Sequence, residues 1–216
     1  MAENKNLLIR RAEEKDIPVL EQLLEQIANV HADARPDLFV HGSQKYYRDE
    51  LSQLIREAKE DEISGEKNGE NKVENKAENK AGNTAKGENF KINDISKEKN
   101  SKASEAITGV KKSKTKIYVA EKDGEVLGHI FFEIQDHSGE AHRQDGKSIY
   151  IDDLCVKEEA RGLSVGKQLL DFAKEYGKKA GCYHLTLTCF WGNQAAYSFY
   201  EKQGLKPLDV EMEILL

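Results

Sequence analysis

Residues 148–181 read SIYIDDLCVKEEARGLSVGKQLLDFAKEYGKKAG. SIYIDDLCV is dominated by apolar and β-branched residues and predicts a strand. Arg161-Gly162-Leu163-Ser164-Val165-Gly166 reads as a small-residue turn. Behind it Val165, Leu169, Leu170, Phe172 and Ala173 recur at helical spacing, and Gly181 is placed to end that helix. A turn of this kind opens backbone N–H groups and the positive end of a helix toward a phosphate. Arg161 adds a guanidinium that can pair with phosphate oxygen. No Gly-Lys-Ser/Thr follows, so it is not a Walker loop. The elements before it run strand–strand–strand, so it is not the βαβ dinucleotide fingerprint. Alone, the turn also reads as purely structural.

Upstream, residues 116–134 read KIYVAEKDGEVLGHIFFEI, two strand-like runs flanking Asp123-Gly124. That dipeptide is a strong hairpin signal. A polar loop, 135–147, leads into the strand that opens the quoted stretch. Downstream, YHLTLTCF (183–190) alternates as a strand. Asn193 caps a short helix, NQAAYSFYEKQ, closed by Gly204. LKPLD and VEMEILL predict a terminal strand pair. At the other end, residues 6–11 (NLLIRR) predict a first strand, and Asp16 is placed to cap a helix carrying Pro18 in its first turn. Ile17, Leu20, Leu23, Leu24, Ile27 and Val30 form its apolar face. HADARPDLF (31–39) reads as a turn-rich connection. Ser43 is then placed to cap a second helix, SQKYYRDELSQLIREAKE, with Tyr47, Leu51, Leu54, Ile55 and Ala58 inside.

The 216 residues carry 33 Lys+Arg and 39 Asp+Glu, a formal charge of −6, with only 38% hydrophobic residues. The apolar deficit is concentrated at 61–116, where Phe90 is the one aromatic and Glu-Asn-Lys repeats every four residues. Little there can be buried, so roughly 61–114 is expected to be a disordered or fraying insertion. It reads either as a tolerated surface-loop expansion or as a partner-binding arm or flexible lid. The rest is long enough for a single α/β domain of mixed sheet, in the order β-α-α-(insertion)-β-β-β-α-β-α-β-β. Residues 61–116 have a net charge of +3 and the remainder −9, a balance that leans toward a cationic substrate and away from nucleic acid. No apolar run reaches membrane-spanning length, and the N-terminus shows no signal-peptide pattern. Cys155, Cys182 and Cys189 form no CxxC pair. They fit a reducing cytoplasm and no metal site.

Two motifs together are more specific than either alone. Arg161, Ser164 and Gly166 stand at the spacing of Arg/Gln-x-x-Gly-x-Gly/Ala. Asn193, Ala196, Tyr200 and Gly204 follow on a later helix. In this order the chain resembles the GNAT superfamily of N-acetyltransferases over about 1–60 and 115–216. Ser164 departs from the family's usual glycine, which puts acyl-CoA affinity in question if that residue needs a positive φ.

The resemblance implies acetyl-CoA as co-substrate and direct attack of a primary amine on the thioester. It places the pantetheine arm along Leu154, Cys155 and Val156, and the pyrophosphate on the turn from Arg161 and Gly162 through Leu163, Ser164, Val165 and Gly166 to Lys167, with Asn193 and Ala196 nearby. Tyr200 is the expected general acid. Asp152 and Asp153 fall where polyamine acetyltransferases of the spermidine/spermine type carry a Glu-Asp pair. Asp152 is the expected base, and Asp153 orients it or attracts the ammonium. Both also read as strand-end surface carboxylates. Strict alternation would put Tyr150, Asp152, Leu154 and Val156 on one face and Ile151, Asp153 and Cys155 on the other, unless a bulge breaks the phase. Arg35, Asp37, Phe39 and Tyr150 are candidates for acceptor binding. The Arg35–Asp37 pair reads equally as a brace for its loop, and His129 reads as structural. The acceptor is expected to be a small cationic amine. A protein or peptide acceptor, and a non-catalytic acyl-CoA-binding module, are the alternatives. C-terminal edge strands leave room for a homodimer.

Overall fold

The structure, a computed structural model, describes residues 7–67, 111–112 and 115–215. Asp123 and Gly124 both take positive φ, 53° and 81°, as a two-residue hairpin turn of matching twist requires. They join β3 (Lys116–Lys122) to β4 (Glu125–Asp136). β5 (Lys147–Val156) pairs antiparallel with β4, and β6 (His184–Leu187) pairs parallel with β5. β1 (Leu8–Arg11) lies antiparallel on β3. A two-residue strand, β2 (Lys111–Lys112), extends β4 beyond the end of β3. The sheet order is β1-β3-β4-β5-β6, with β2 off that path.

Helices cover both faces. α1 (Ile17–Ala34) and α2 (Arg48–Lys67) lie on one. There Ile17, Leu20 and Leu24 meet Leu51, Ile55 and the strand residues Ile117, Val119 and Phe131, all buried. α3 (Val165–Lys179) covers the other, packing Val165, Leu169, Leu170 and Ala173 on Ile130, Phe132, Ile149 and Ile151. Fully burying each leucine contributes about 2 kcal/mol. α4 (Gln194–Lys202) follows β6 and is capped by Asn193, whose Oδ1 accepts from the Ala196 N–H at 3.1 Å. The mixed α/β class therefore stands as expected.

Several local expectations are corrected. α1 starts after Asp16 as expected, but the Asp16 side chain makes no cap bond. It is buried, pairs with Arg10 Nη1 at 2.7 Å, and accepts from the Glu13 N–H, closing a 3-10 turn instead. The connection expected at 31–39 is helical to Ala34. Ala32 is fully buried, and Pro36 forces Arg35 out of helical geometry, ending α1 there. The second helix starts at Arg48, not after Ser43. Ser43 Oγ donates to the Val40 carbonyl, while Glu50 reaches back to the Tyr47 N–H, leaving Tyr47 exposed.

The insertion expected at about 61–114 is α-helical at 61–67 and paired at Lys111–Lys112; the rest of that expectation lies outside the described residues. The terminal strand pair does not form over 205–215, which has no ladder partner. Pro207 lacks a donor N–H, and Glu213 is drawn to Arg35 in the α1–α2 loop.

Candidate active site

The β4–β5 register slips between Phe131 and Phe132: Ile151 lies opposite Phe132, and Asp153 opposite Phe131. Asp152 is therefore the extra residue of a β-bulge. The bulge inverts the strand's phase and corrects the strict alternation. Before it, Ile149 and Ile151 face α3. After it, Leu154 and Val156 face α3, while Asp153 and Cys155 turn toward α1. Both carboxylates thus address the α1–α2 side.

There Asp152 Oδ1 accepts from Lys45 Nζ at 2.6 Å and Oδ2 from the Tyr46 hydroxyl at 2.8 Å, and Lys45 also reaches the Asp152 carbonyl at 3.3 Å. Tyr46 stacks on Phe131. Burial and the neighbouring Asp152 charge push its phenol well above the ordinary range. Asp153, buried, contacts His129 Nε2 at 2.6 Å. A carboxylate accepts, so the proton on that ring nitrogen is assigned to Nε2. His129 is fully buried, as expected of a structural residue, yet it is tied to a carboxylate at the bulge.

The β5–β6 ladder ends at Ile151 opposite Leu187. β5 continues to Val156 without a neighbour on that side. The Lys157 N–H donates to the Leu127 carbonyl, which fixes the ladder phase. Leu154 and Val156 therefore turn their backbone groups into the open split. Gln26 Nε2 donates to the Val156 carbonyl and to Cys155 Sγ. Burial, with the Asp153 charge, pushes the Cys155 thiol up to about 12. It stays protonated and is no nucleophile.

Tyr200 lies in the same neighbourhood. Its phenol is raised by burial, then by Cys189, Asp153 and Cys155, so it bears its proton throughout the physiological range. His31, in the last turn of α1, packs its ring 5.3 Å from both Phe39 and Phe190. Burial lowers its pKa, against the pull of Asp153.

At the end of β5 the Arg161–Lys167 turn enters α3. Gly162 has φ +78° and Ser164 φ +63°. The departure at Ser164 thus falls where the backbone is left-handed, and the serine makes no side-chain cap bond. Gly166 faces Phe199 and Val156, and an added Cβ would lie 3.4 Å from the Phe199 ring. Lys167 is held by Asp171, and Arg161 lies 3.3 Å from Glu158. Leu163 is exposed.

Among the acceptor candidates, Arg35 pairs bidentately with Asp37 at 2.9 and 2.7 Å and also reaches Glu213 at 3.1 Å. This pair braces its loop and ties the C-terminal segment to it. Phe39 packs on His31 and Phe190, and the Tyr150 hydroxyl lies 3.3 Å from Thr188 Oγ1. Lys45, Tyr46 and Gln26 were not singled out from sequence. Gln26 sits on α1, Lys45 and Tyr46 precede α2 in a stretch whose sequence reads as ordinary helix, and no motif marks them.

The fold is a mixed sheet that splits beside a bulged strand, with a glycine-bearing turn leading from that strand into a helix. The chain belongs to the acetyltransferase (GNAT) family, whose pattern matches residues 89–205. It is 34% identical over 70 residues to glucosamine 6-phosphate N-acetyltransferase of Arabidopsis thaliana, covering 32% of this chain and 45% of that protein. It is 32% identical over 63 residues to thialysine N-epsilon-acetyltransferase of Bos taurus, covering 29% and 37%. The chain thus spans less than half the length of either relative. A mutant of the BH1408 protein from Bacillus halodurans shares the fold at TM-score 0.67 and 18% identity, covering 97% of this chain and 99% of that one. The Arabidopsis glucosamine-6-phosphate enzyme's own structure matches at TM-score 0.54 and 20% identity, covering 97% of both chains.

Proposed function

We propose that this protein is an acetyl-CoA-dependent N-acetyltransferase acting on a small primary amine. The observation that carries the reading is Asp152. Its carboxylate, set on a bulge beside the open β5–β6 split, already holds a primary ammonium, that of Lys45. An acceptor amine displacing Lys45 meets the same carboxylate, with Asp153 adding a second negative charge.

The residues fit the co-substrate. Leu154 and Val156 turn unladdered backbone groups into the split, as an added strand-like arm requires. The turn from Gly162 through Lys167 leads into the start of α3, where partial positive charge favours a pyrophosphate. Gly166 lets α3 pack closely on Phe199 and Val156. Asn193 and Ala196 set the start of α4, which carries Tyr200. When bound, acetyl-CoA supplies the activated acetyl group. Asp152 takes the proton from the acceptor ammonium, directly or through water, and Tyr200 donates its proton to the departing thiolate. Asp153, held by His129, orients the acidic pair. Arg35 and Asp37 shape the acceptor mouth through their loop, and Phe39 and Tyr150 line it.

Relatives that act on glucosamine 6-phosphate and on thialysine support an amine acceptor. The paired carboxylates favour a cationic one. The reading places the protein in a reducing cytoplasm, in keeping with three free cysteines. It includes a homodimer formed along the exposed apolar C-terminal segment, with Val210, Met212 and Ile214 at its surface. Light scattering on the purified protein tests the dimer.

The test of the reaction is release of CoA thiol from acetyl-CoA over a panel of polyamines, amino sugars with and without phosphate, and peptides. Turnover on a small amine is expected. Turnover restricted to peptides replaces the acceptor class. Acetyl-CoA binding with no release on any acceptor overturns the reading in favour of a non-catalytic acyl-CoA-binding module.

A further inference from the structure

The amine on Asp152 belongs to the chain itself, and the geometry points to Lys45 as an acetyl acceptor: we propose that the protein acetylates its own Lys45 at this site. This rests on the transferase reading above.

Three observations support it. Lys45 Nζ lies 2.6 Å from Asp152 Oδ1 and 3.3 Å from the carbonyl of the same residue, so the amine sits on the bulge and not on a distant surface carboxylate. Leu154, where the open split begins to offer backbone groups, lies roughly 7 Å further along the strand, within the sweep of a lysine side chain. The side chain is half-exposed, precedes α2 in a loop, and is held by one ion pair and by the face of the Tyr46 ring, 5.6 Å from its centroid. Lys178, paired with Glu175 in the last turn of α3, lies at the opposite end of that helix from the turn beside the split.

The step balances with acetyl-CoA as the acyl donor. The Lys45 ammonium gives its proton to Asp152. The freed nitrogen lone pair attacks the thioester carbonyl carbon. The C–N bond forms as the C–S bond breaks, the sulfur leaves with the electron pair and is protonated from Tyr200, and the nitrogen sheds its second proton to solvent, from which Tyr200 regains one. The products are Nε-acetyllysine at position 45 and CoA thiol, and the Asp152 proton passes to solvent. The acetylated side chain carries no charge and releases Asp152 from its ion pair.

The experiment incubates the full chain with acetyl-CoA and no added amine, then maps acetylation by peptide mass spectrometry over time. Lys45 is expected to be modified at least about tenfold faster than Lys178, because the site supplies proximity and a base. Its rate per molecule should not change with protein concentration. Asp152→Asn should slow it by about tenfold or more, and Lys45→Arg should lose that site alone. Equal rates at Lys45 and Lys178, or equal rates in native and urea-unfolded chain, overturn the proposal as chemical acetylation. Acceptor turnover with Lys45 unmodified overturns the self-acetylation alone. Failure to bind acetyl-CoA, measured by calorimetry on the same sample, overturns both this inference and the transferase reading.

Discussion

Replacing Ser164 with glycine should stabilise the protein, although glycine usually weakens a fold. Ser164 sits at φ +63°, immediately before α3, and its hydroxyl makes no capping bond. A left-handed backbone costs an L-residue about 1–2 kcal/mol. Glycine relieves that strain but gives back roughly 0.5–1 kcal/mol in unfolded-chain entropy. The net is a gain of about 0.5–1 kcal/mol, or about 1–4 °C in melting temperature for a domain of this size. Ser164→Ala is the control. It keeps the strain and removes only an unbonded hydroxyl, so it should melt within about 0.5 kcal/mol of wild type. Ser164→Val, β-branched in the same conformation, should lose more than about 1 kcal/mol. Thermal melts of the four proteins by circular dichroism decide it. A lower melting temperature for the glycine variant, or a large loss for alanine, would refute the assignment of strain to this turn.

Gly128→Ala should cost about 2 kcal/mol in urea titration, because its Cβ would stand 2.7 Å from the Cys155 carbonyl oxygen. It should also weaken acetyl-CoA binding by pushing β5 off β4 beside Leu154 and Val156. Gly166→Ala, whose added carbon meets its neighbours at ordinary contact, should leave acetyl-CoA affinity within a few-fold of wild type. Burial opposes ionisation of Asp16, but the Arg10 guanidinium and the Glu13 N–H outweigh it and hold its pKa below the usual range. Its contribution is therefore complete above the unfolded value near ~3.9 and is lost as pH falls through the folded one. Asp16→Asn should lose roughly 3 kcal/mol at pH 7 and flatten the acid limb of stability, read from melts between pH 2 and pH 7. An unchanged acid limb would contradict that pairing.

The hairpin and the two faces of the sheet were legible because local chemistry and global packing agree there. Asp123-Gly124 demands positive φ, and the apolar periods of α1 and α3 match the faces they bury. The motif helix was legible for the same reason, since Asn193 both caps it and sets its register. The bulge at Asp152 was not legible. Two adjacent aspartates look alike in a period-two pattern, and only pairing with Phe131 and Phe132 shows which is the extra residue.

Lys45 and Tyr46 escaped for a different reason. Their role depends on a loop crossing to β5, a contact between residues more than 100 positions apart with no periodic trace. The C-terminal segment misled by pattern. Its alternation is that of a strand, yet β6 is short and the Arg35–Glu213 pair draws the segment elsewhere. The start of α2 was misplaced because the Ser43 hydroxyl found the Val40 carbonyl instead of a helix end, whereas α1 starts after Asp16 as read although that side chain turns to Arg10.

The central claim is that Asp152 receives the acceptor amine and its proton. Its most direct test is kcat/KM for the preferred amine in wild type and Asp152→Asn, with acetyl-CoA affinity measured on both. A loss of about 100-fold or more, at unchanged acetyl-CoA affinity and with a fold intact by circular dichroism, is the predicted result. An Asp152→Asn variant that turns over within a few-fold of wild type would contradict the account and return Asp152 to a purely structural partner of Lys45 and Tyr46.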